Sequence, residues 1–447
     1  MPDYVTVKQK IKSYKKKILV SPDKSLSIRS ILLASQAIGI STITNLLESE
    51  DVLNAIKAIQ KLGIECKKKS GKYIINGFGL NGFDIKKNTT IDAGNSGTLA
   101  RLLLGLLVKV EKKVKIVGDK SLSKRDFSRV TEPLKEFGAV IKSKKNSLPV
   151  EIEGTEFLRP IEYLENKGSA QCKSSVMLAS LLTPGTTVIK AKKSRNHTEL
   201  LFKYLKIPMR IKKFKNYDLI EVDGLNQFDA FDYDIPSDIS SSAFFIVLTI
   251  LAQNSEIIIK KVNINESRTG IIKILKMMNC NIKLKNLKMY KGEKIADIFV
   301  KSSNNIKSIN CPSKLNSAAI DEFLVIFLVA AKAKGVSVFK NLNELNKKES
   351  PRLEIATRFL RMIGIKVKKV KDNLKIYGNP LLNLNGNYHM KNFLKDHRVF
   401  MMACIAALVF GGNWKIDDKD SINTSFPKFL KILKSIGAKI NWKKEKN

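Results

Sequence analysis

Twelve arginines stand in a chain that otherwise draws its cations from lysine, and many of them fall in short segments rich in Ser, Gly, Asn and Asp. Ser21-Pro22-Asp23-Lys24-Ser25 leads to Arg29, and Asp92-Ala93-Gly94-Asn95-Ser96-Gly97-Thr98 leads to Arg101. Gly168-Ser169-Ala170-Gln171, Pro236-Ser237-Asp238-Ile239-Ser240, Ser350-Pro351-Arg352 and Asp396-His397-Arg398 have the same character. Each opens a predicted helix. A helix N-terminus offers unsatisfied N–H donors and the positive end of the macrodipole, and small residues let an anion approach that backbone. A guanidinium fork binds carboxylate or phosphate bidentately, which an ammonium group cannot do. Six such openings suit a ligand with several anionic groups. For any single one, ordinary capping by Ser or Asp is the alternative.

Acid–base candidates are fewer. Asp321-Glu322 precedes the apolar run Phe323 to Ala333, and Lys348-Glu349 precedes Arg352. An acid beside cations in an anion site is held charged and ready to accept a proton. The alternatives are first-turn helix charge for Asp321 and solvent pairing for Glu349. His197, His389 and His397 form no metal spacing, and no metal or other cofactor is expected.

The elements that must position these residues follow from a phrase that recurs six times. It reads AIQKLGIECKK from Ala58, PLKEFGAVIKS from Pro133 and LFKYLKIPMRIKK from Leu201. It returns as ILKMMNCNIKLK from Ile274, FLRMIGIKVKK from Phe359 and ILKSIGAKINWKK from Ile432. Each copy ends an amphipathic helix, turns, then alternates apolar residues with lysine as a half-buried strand. The copies lie on the order of 70–85 residues apart, room for a βαβ-type unit with an extra hairpin. Three copies in each half predict an α/β protein of two similar domains.

The 447 residues exceed one ordinary core, and 44% hydrophobic with 27% charged residues is a globular composition. Five scattered cysteines without a CxxC pair suggest free thiols in a reducing compartment. The N-terminal stretch has no apolar h-region, and the longest apolar run, Val399 to Phe410, is well short of the roughly 20 residues that span a bilayer. A cytoplasmic, non-membrane, monomeric protein is expected. The net charge of +39 raises a nucleic-acid reading. Against it, lysine is spread over the whole chain and aromatics are only 7%, so no nucleic-acid partner is expected.

SPDKSLSIRS, DAGNSGTLARLLLG and the segments that follow along the chain resemble the EPSP synthase (3-phosphoshikimate 1-carboxyvinyltransferase) family. SPDKSLSIRS, DAGNSGTLARLLLG and GDKSLSKRDFSRVTEPLKEFGA match its phrases, and the match continues through SAQCKSSVMLASLL, SRNHTE, DISSSAFF, NESRTG, AIDEFLVIFLVAA, KKESPR, DHRVFM and SFPKFL. The resemblance implies an inside-out α/β barrel in each of two domains, every domain holding three βαβαββ-like units. One would hold residues 1–20 and 237–447, the other 21–236, with the active site in the interdomain cleft.

It also implies transfer of the enolpyruvyl group of phosphoenolpyruvate to the 5-hydroxyl of shikimate 3-phosphate. In that resemblance Lys24, Ser25, Arg29, Ser169, Ala170, Gln171, Arg195 (with Ser194 beside it), Asp321 and Lys348 meet shikimate 3-phosphate. Lys24, Gly97, Arg125, Gln171, Arg352 and Arg398 meet phosphoenolpyruvate. Asp321 is the base for the hydroxyl, with Glu349 and Lys24 as catalytic partners. The chain departs from the family phrases at Ile28, Ala170, Pro351 and Thr424. The nearest rival, UDP-N-acetylglucosamine enolpyruvyl transferase, looks for a reactive cysteine in the region matching Gly118 to Arg129, where this chain has none. A basic nucleic-acid-binding protein is the other alternative.

Overall fold

The computed structural model describes residues 3–85 and 87–443, so the expected domain ends at residues 1 and 447 lie outside the described residues. The chain divides into two compact units. One comprises Pro22–Ile235 with Tyr290–Glu293; the other comprises Met1–Ser21, Pro236–Met289 and Lys294–Asn447. The expectation kept 237–447 in one piece. The hairpin tip Tyr290–Glu293 instead packs with the first of these units, because its side chains find partners there. The Tyr290 hydroxyl accepts from the Asp234 N–H at 2.9 Å, and Glu293 Oε1 lies 2.6 Å from His197 Nδ1.

The fold is mixed α/β, built among the described residues on six small sheets, three in each unit. In the Pro22–Ile235 unit one sheet runs Asp232–Asp234, Ile38–Thr44, Lys72–Phe78, Glu65–Lys69. The next runs Thr89–Asp92, Val114–Val117, Ser147–Glu153, Val140–Lys144, and the third Glu162–Glu165, Thr186–Lys192, Tyr217–Asp223, Met209–Lys213. All three share one pattern: a parallel edge pair followed by two antiparallel pairings. The last unit of the chain repeats it. Leu384–Met390 pairs parallel with Gly411–Ile416, which continues antiparallel through Tyr4–Val7 to Ile440–Lys443. Thus Tyr4–Val7 completes a sheet whose other members lie between residues 384 and 443, and Lys15–Ile18 likewise adds to Glu256–Asn263.

All six recurring phrases occupy the same local geometry: a helix end, a tight exit, then a strand. The residue at each exit has positive φ: Gly63, Gly138, Lys206, Asn279, Gly364 and Gly437. Glycine takes this left-handed conformation without the Cβ penalty and asparagine tolerates it, so only Lys206 pays for the turn in strain.

The helices fall into two kinds. Lys24–Ala34, Gly97–Leu106 and Ala170–Leu181 are buried on almost every side, and so are Ile239–Leu251, Phe323–Lys332 and His397–Phe410. They form the centre of each unit, and the two hydrophobic cores gather around them. Glu50–Lys61, Ser128–Glu136 and Arg352–Met362 bury one face only. An all-round apolar helix has no solvated face to offer, so its polar residues collect at its ends. Those ends carry the candidate site. Among the described residues no helix is long and apolar enough to cross a membrane.

Candidate active site

In the Pro22–Ile235 unit, three central helices begin at Lys24, Gly97 and Ala170. Each is capped by the preceding residue: Asp23 accepts from the Leu26 N–H at 2.9 Å, Ser96 from Leu99 at 3.2 Å and Ser169 from Cys172 at 3.3 Å. Capping therefore does account for part of the Ser and Asp pattern at these openings. The cations need a further cause. Lys24 Nζ lies 2.8 Å from Asp51 Oδ2 of the Glu50–Lys61 helix. Arg29 is buried, and its guanidinium donates to Thr198 Oγ1 at 2.9 Å, Ser174 Oγ at 3.1 Å and the Ser25 carbonyl at 3.2 Å.

Around Gly97 the structure gathers guanidinium groups. A Cβ on this glycine would stand 2.8 Å from Arg101 Nη1 and 3.1 Å from Arg125 Nη1, so both crowd the start of its helix. Arg101 Nη1 donates to Gln171 Oε1 at 2.9 Å, and Gln171 Nε2 donates to Thr98 Oγ1 at 2.9 Å. Burial pushes the Arg101 guanidinium down to about 10, and the neighbouring Arg125 and Arg129 push the same way. Like charges brought this close favour an anion between them. Ser25, Ser169, Ala170, Gln171, Ser194 and Arg195 are all part-exposed, at helix starts or, for Ser194 and Arg195, in the turn after Thr186–Lys192.

The second set lies in the other unit and centres on Arg352, which is 1% exposed. Its Nε donates to Asp396 Oδ2 at 2.8 Å and its Nη2 to Asp396 Oδ1 at 3.2 Å, a two-pronged pair. Nη2 also donates to Glu349, and Nη1 reaches Asp321 Oδ1 at 3.4 Å. Lys348 Nζ lies 3.6 Å from the same Asp321 oxygen. Arg398 Nη1 donates to the Asp321 backbone carbonyl at 2.9 Å. Asp396 itself caps the His397–Phe410 helix and accepts from Ser350 Oγ at 2.8 Å. Burial opposes its ionisation, but the Arg352 guanidinium outweighs that and holds the carboxyl below the usual range. Asp321, Lys348, Glu349, Arg352 and Arg398 are thus one connected cluster, whereas Lys24, Ser25, Arg29, Gly97, Arg125, Ser169, Ala170, Gln171 and Arg195 belong to the other unit.

The family model for EPSP synthase (3-phosphoshikimate 1-carboxyvinyltransferase) matches residues 8–433. The chain belongs to that family. A 3-phosphoshikimate 1-carboxyvinyltransferase of Ruthia magnifica subsp. Calyptogena magnifica is 40% identical over 427 residues, 94% of this chain and 95% of the relative. Another, of Hydrogenovibrio crunogenus, is 37% identical over 95% of this chain and 96% of its own. Among solved structures, EPSP synthase from Acinetobacter baumannii superposes with a TM-score of 0.87 at 33% identity, covering 99% of this chain and all of that one. The enolpyruvyl transferase NikO from Streptomyces tendae shares the fold at a TM-score of 0.77 and 13% identity. The rival reading as a UDP-N-acetylglucosamine enolpyruvyl transferase is not favoured by these relatives.

Sequence reasoning named Arg101 and Asp396 as parts of helix openings without giving them a site role, and it did not single out Asp51. Asp51, Arg101 and Asp396 each hold a predicted site residue directly. Asp396 carried a visible signal, an acid at a helix opening two residues before Arg398. Asp51 carried none, since nothing local ties an acid on the next helix to Lys24. The departures also acquire physical roles. Ile28 is a fully buried core residue, Pro351 sits at the N-cap of Arg352–Met362, and Thr424 Oγ1 lies 3.3 Å from His397 Nδ1. All five cysteines are buried as free thiols, and burial pushes Cys66 and Cys311 up to about 11 and Cys280 to about 12. Such thiols are poor nucleophiles.

Proposed function

We propose that the protein is a 3-phosphoshikimate 1-carboxyvinyltransferase that transfers the enolpyruvyl group of phosphoenolpyruvate to the 5-hydroxyl of shikimate 3-phosphate, releasing phosphate. The observation that carries the reading is the family match from residue 8 to residue 433, which includes every residue assigned below. C3 of phosphoenolpyruvate gains a proton, the hydroxyl oxygen bonds to C2, and the tetrahedral adduct expels phosphate as C3 gives up a proton. Each substrate brings a phosphate of roughly −1.5 to −2 charge as well as a carboxylate. A unit pair at about 4 Å attracts by roughly 4 kcal/mol at an effective dielectric of 20, so several cations are needed to gather two mutually repelling anions.

Each unit's cluster is read as its own share of that work. Lys24, Ser25, Arg29, Ser169, Ala170, Gln171 and Arg195 receive shikimate 3-phosphate, together with Asp321 and Lys348. Lys24, Gly97, Arg125, Gln171, Arg352 and Arg398 receive phosphoenolpyruvate. Asp321 takes the hydroxyl proton, and Glu349 and Lys24 exchange protons with the enolpyruvyl carbon and the departing phosphate. The Arg352 nitrogens that reach Asp321 and Glu349 are the ones for which a substrate carboxylate competes. The connection of Asp321, Lys348, Glu349, Arg352 and Arg398 through shared bonds supports this assignment.

Two measurements test the reading. Purified protein is expected to release phosphate from phosphoenolpyruvate only when shikimate 3-phosphate is present; equal release without it rejects the function. Gly97→Ala places a methyl group against Arg101 and Arg125 while improving helix propensity. It is expected to fold normally yet raise the KM for phosphoenolpyruvate roughly tenfold, as a displaced binding group does. An unchanged KM removes Gly97 from that site.

A further inference from the structure

Three of the family phrases carry residues with no assigned role: DISSSAFF, NESRTG and the second acid of AIDEFL. The structure joins them. Arg268 of NESRTG is 2% exposed, and its Nη2 donates to Ser240 Oγ at 2.6 Å and to Asp238 Oδ1 at 3.2 Å. Ser240 Oγ in turn donates to Glu322 Oε1. That same Glu322 oxygen lies 3.8 Å from Arg398 Nη1. Three elements contribute: the start of the Ile239–Leu251 helix, the turn before Gly270–Met277, and the residue that opens Phe323–Lys332.

The direction of these bonds matters. A hydroxyl has one hydrogen to give. The Arg268 guanidinium can only donate, so Ser240 must accept from it and turn its hydrogen to Glu322. Glu322, 1% exposed, is thereby fixed with one oxygen toward Arg398. Arg398 Nη1 faces both that oxygen, at 3.8 Å, and the Asp321 carbonyl, to which it donates at 2.9 Å. We propose that Arg268, Ser240 and Glu322 are positioning residues that aim the Arg398 guanidinium, and so set the affinity for the anionic substrate that Arg398 receives. The inference rests on the reading of Arg398 as a phosphoenolpyruvate contact. It adds three residues which that reading leaves without a part.

The test is a double-mutant cycle with both substrates titrated separately. Ser240→Ala removes the relay hydroxyl with the smallest change in volume. It is expected to raise the KM for phosphoenolpyruvate about tenfold, the loss typical of a hydrogen bond to a charged group, while the KM for shikimate 3-phosphate stays the same. Ser240→Thr, which keeps a hydroxyl, is expected to restore most of the affinity. In an Arg398→Lys background Ser240→Ala should add almost nothing, because both changes act on one interaction. If Arg398→Lys raises the KM for phosphoenolpyruvate but Ser240→Ala does not, the inference fails and the function stands. If Ser240→Ala raises both KM values together, or is fully additive with Arg398→Lys, its role is structural and the inference again fails. If Arg398→Lys itself leaves phosphoenolpyruvate use unchanged, the assignment of Arg398 falls and the inference with it. Should Ser240→Ala not fold, Glu322→Gln, which keeps the side-chain shape, is judged by the same outcomes.

Discussion

Arg352→Met is expected to lower the unfolding free energy by about 3–5 kcal/mol, the usual consequence of leaving a buried charge without its partner. Asp396 has 0% side-chain exposure and Arg352 has 1%, so water cannot replace the lost bonds. The flexible methionine fills most of the space, which separates the charge effect from a cavity effect. The pH dependence gives the sign. With Arg352 present, the folded-state carboxyl of Asp396 lies below its unfolded value. Its contribution is therefore present above the ordinary carboxylate range and is lost as pH falls through the depressed folded value. Without Arg352, burial and the nearby Glu349 both push that carboxyl upward. The variant is then penalised near neutrality and relieved as acid protonates Asp396. Urea unfolding at a series of pH values should show the gap between the two proteins widest near neutral pH and narrowing toward acid. Adding Asp396→Asn to the variant should recover part of the loss. Equal stability at neutral pH would show that the pair does not hold the fold.

The second large effect concerns turnover. Asp321→Asn keeps the shape of the side chain and removes its capacity to accept a proton. The expected fall in kcat is roughly 10²- to 10⁴-fold, the range for loss of a general base. Binding should survive for a specific reason: Arg398 donates to the backbone carbonyl of residue 321, not to the carboxylate. Arg352 keeps its two bonds to Asp396. The contacts of Asp321 Oδ1 with Lys348 and with Arg352 Nη1, and of Oδ2 with Arg398 Nη2 at 4.0 Å, are weakened, and all three are longer than 3.3 Å. Steady-state assays should therefore find both KM values within a few-fold of the parent. Full activity would remove Asp321 as the base. A large rise in KM with kcat unchanged would recast it as a binding group.

The two clusters differ in how they hold charge. Around Gly97, the Arg101 and Arg125 guanidinium groups crowd one helix start, and an incoming anion would relieve their repulsion. Around Arg352, the cation is already saturated by carboxylates, so an anion must displace Asp321 or Glu349 from it. On the proposed function, displacement of that kind would free a carboxylate beside the substrate hydroxyl as the anion binds.

The sequence by itself determined the repeat and its local geometry. Amphipathic helix, exit and lysine-alternating strand are set by side-chain periodicity and by the tolerance of glycine and asparagine for positive φ, both local properties. The helix openings at Lys24, Gly97, Ala170, Ile239, Arg352 and His397 were readable for the same reason. Tertiary structure alone decided which charges meet. Arg352 and Asp396 are 44 residues apart, Lys24 and Asp51 are 27 apart, and Tyr4–Val7 finds its sheet partner at Trp414–Ile416. Partner choice among so many lysines and acids depends on burial and distance, because an ion pair gains strength only where water is excluded. No local pattern encodes that exclusion; it exists once the central helices have packed.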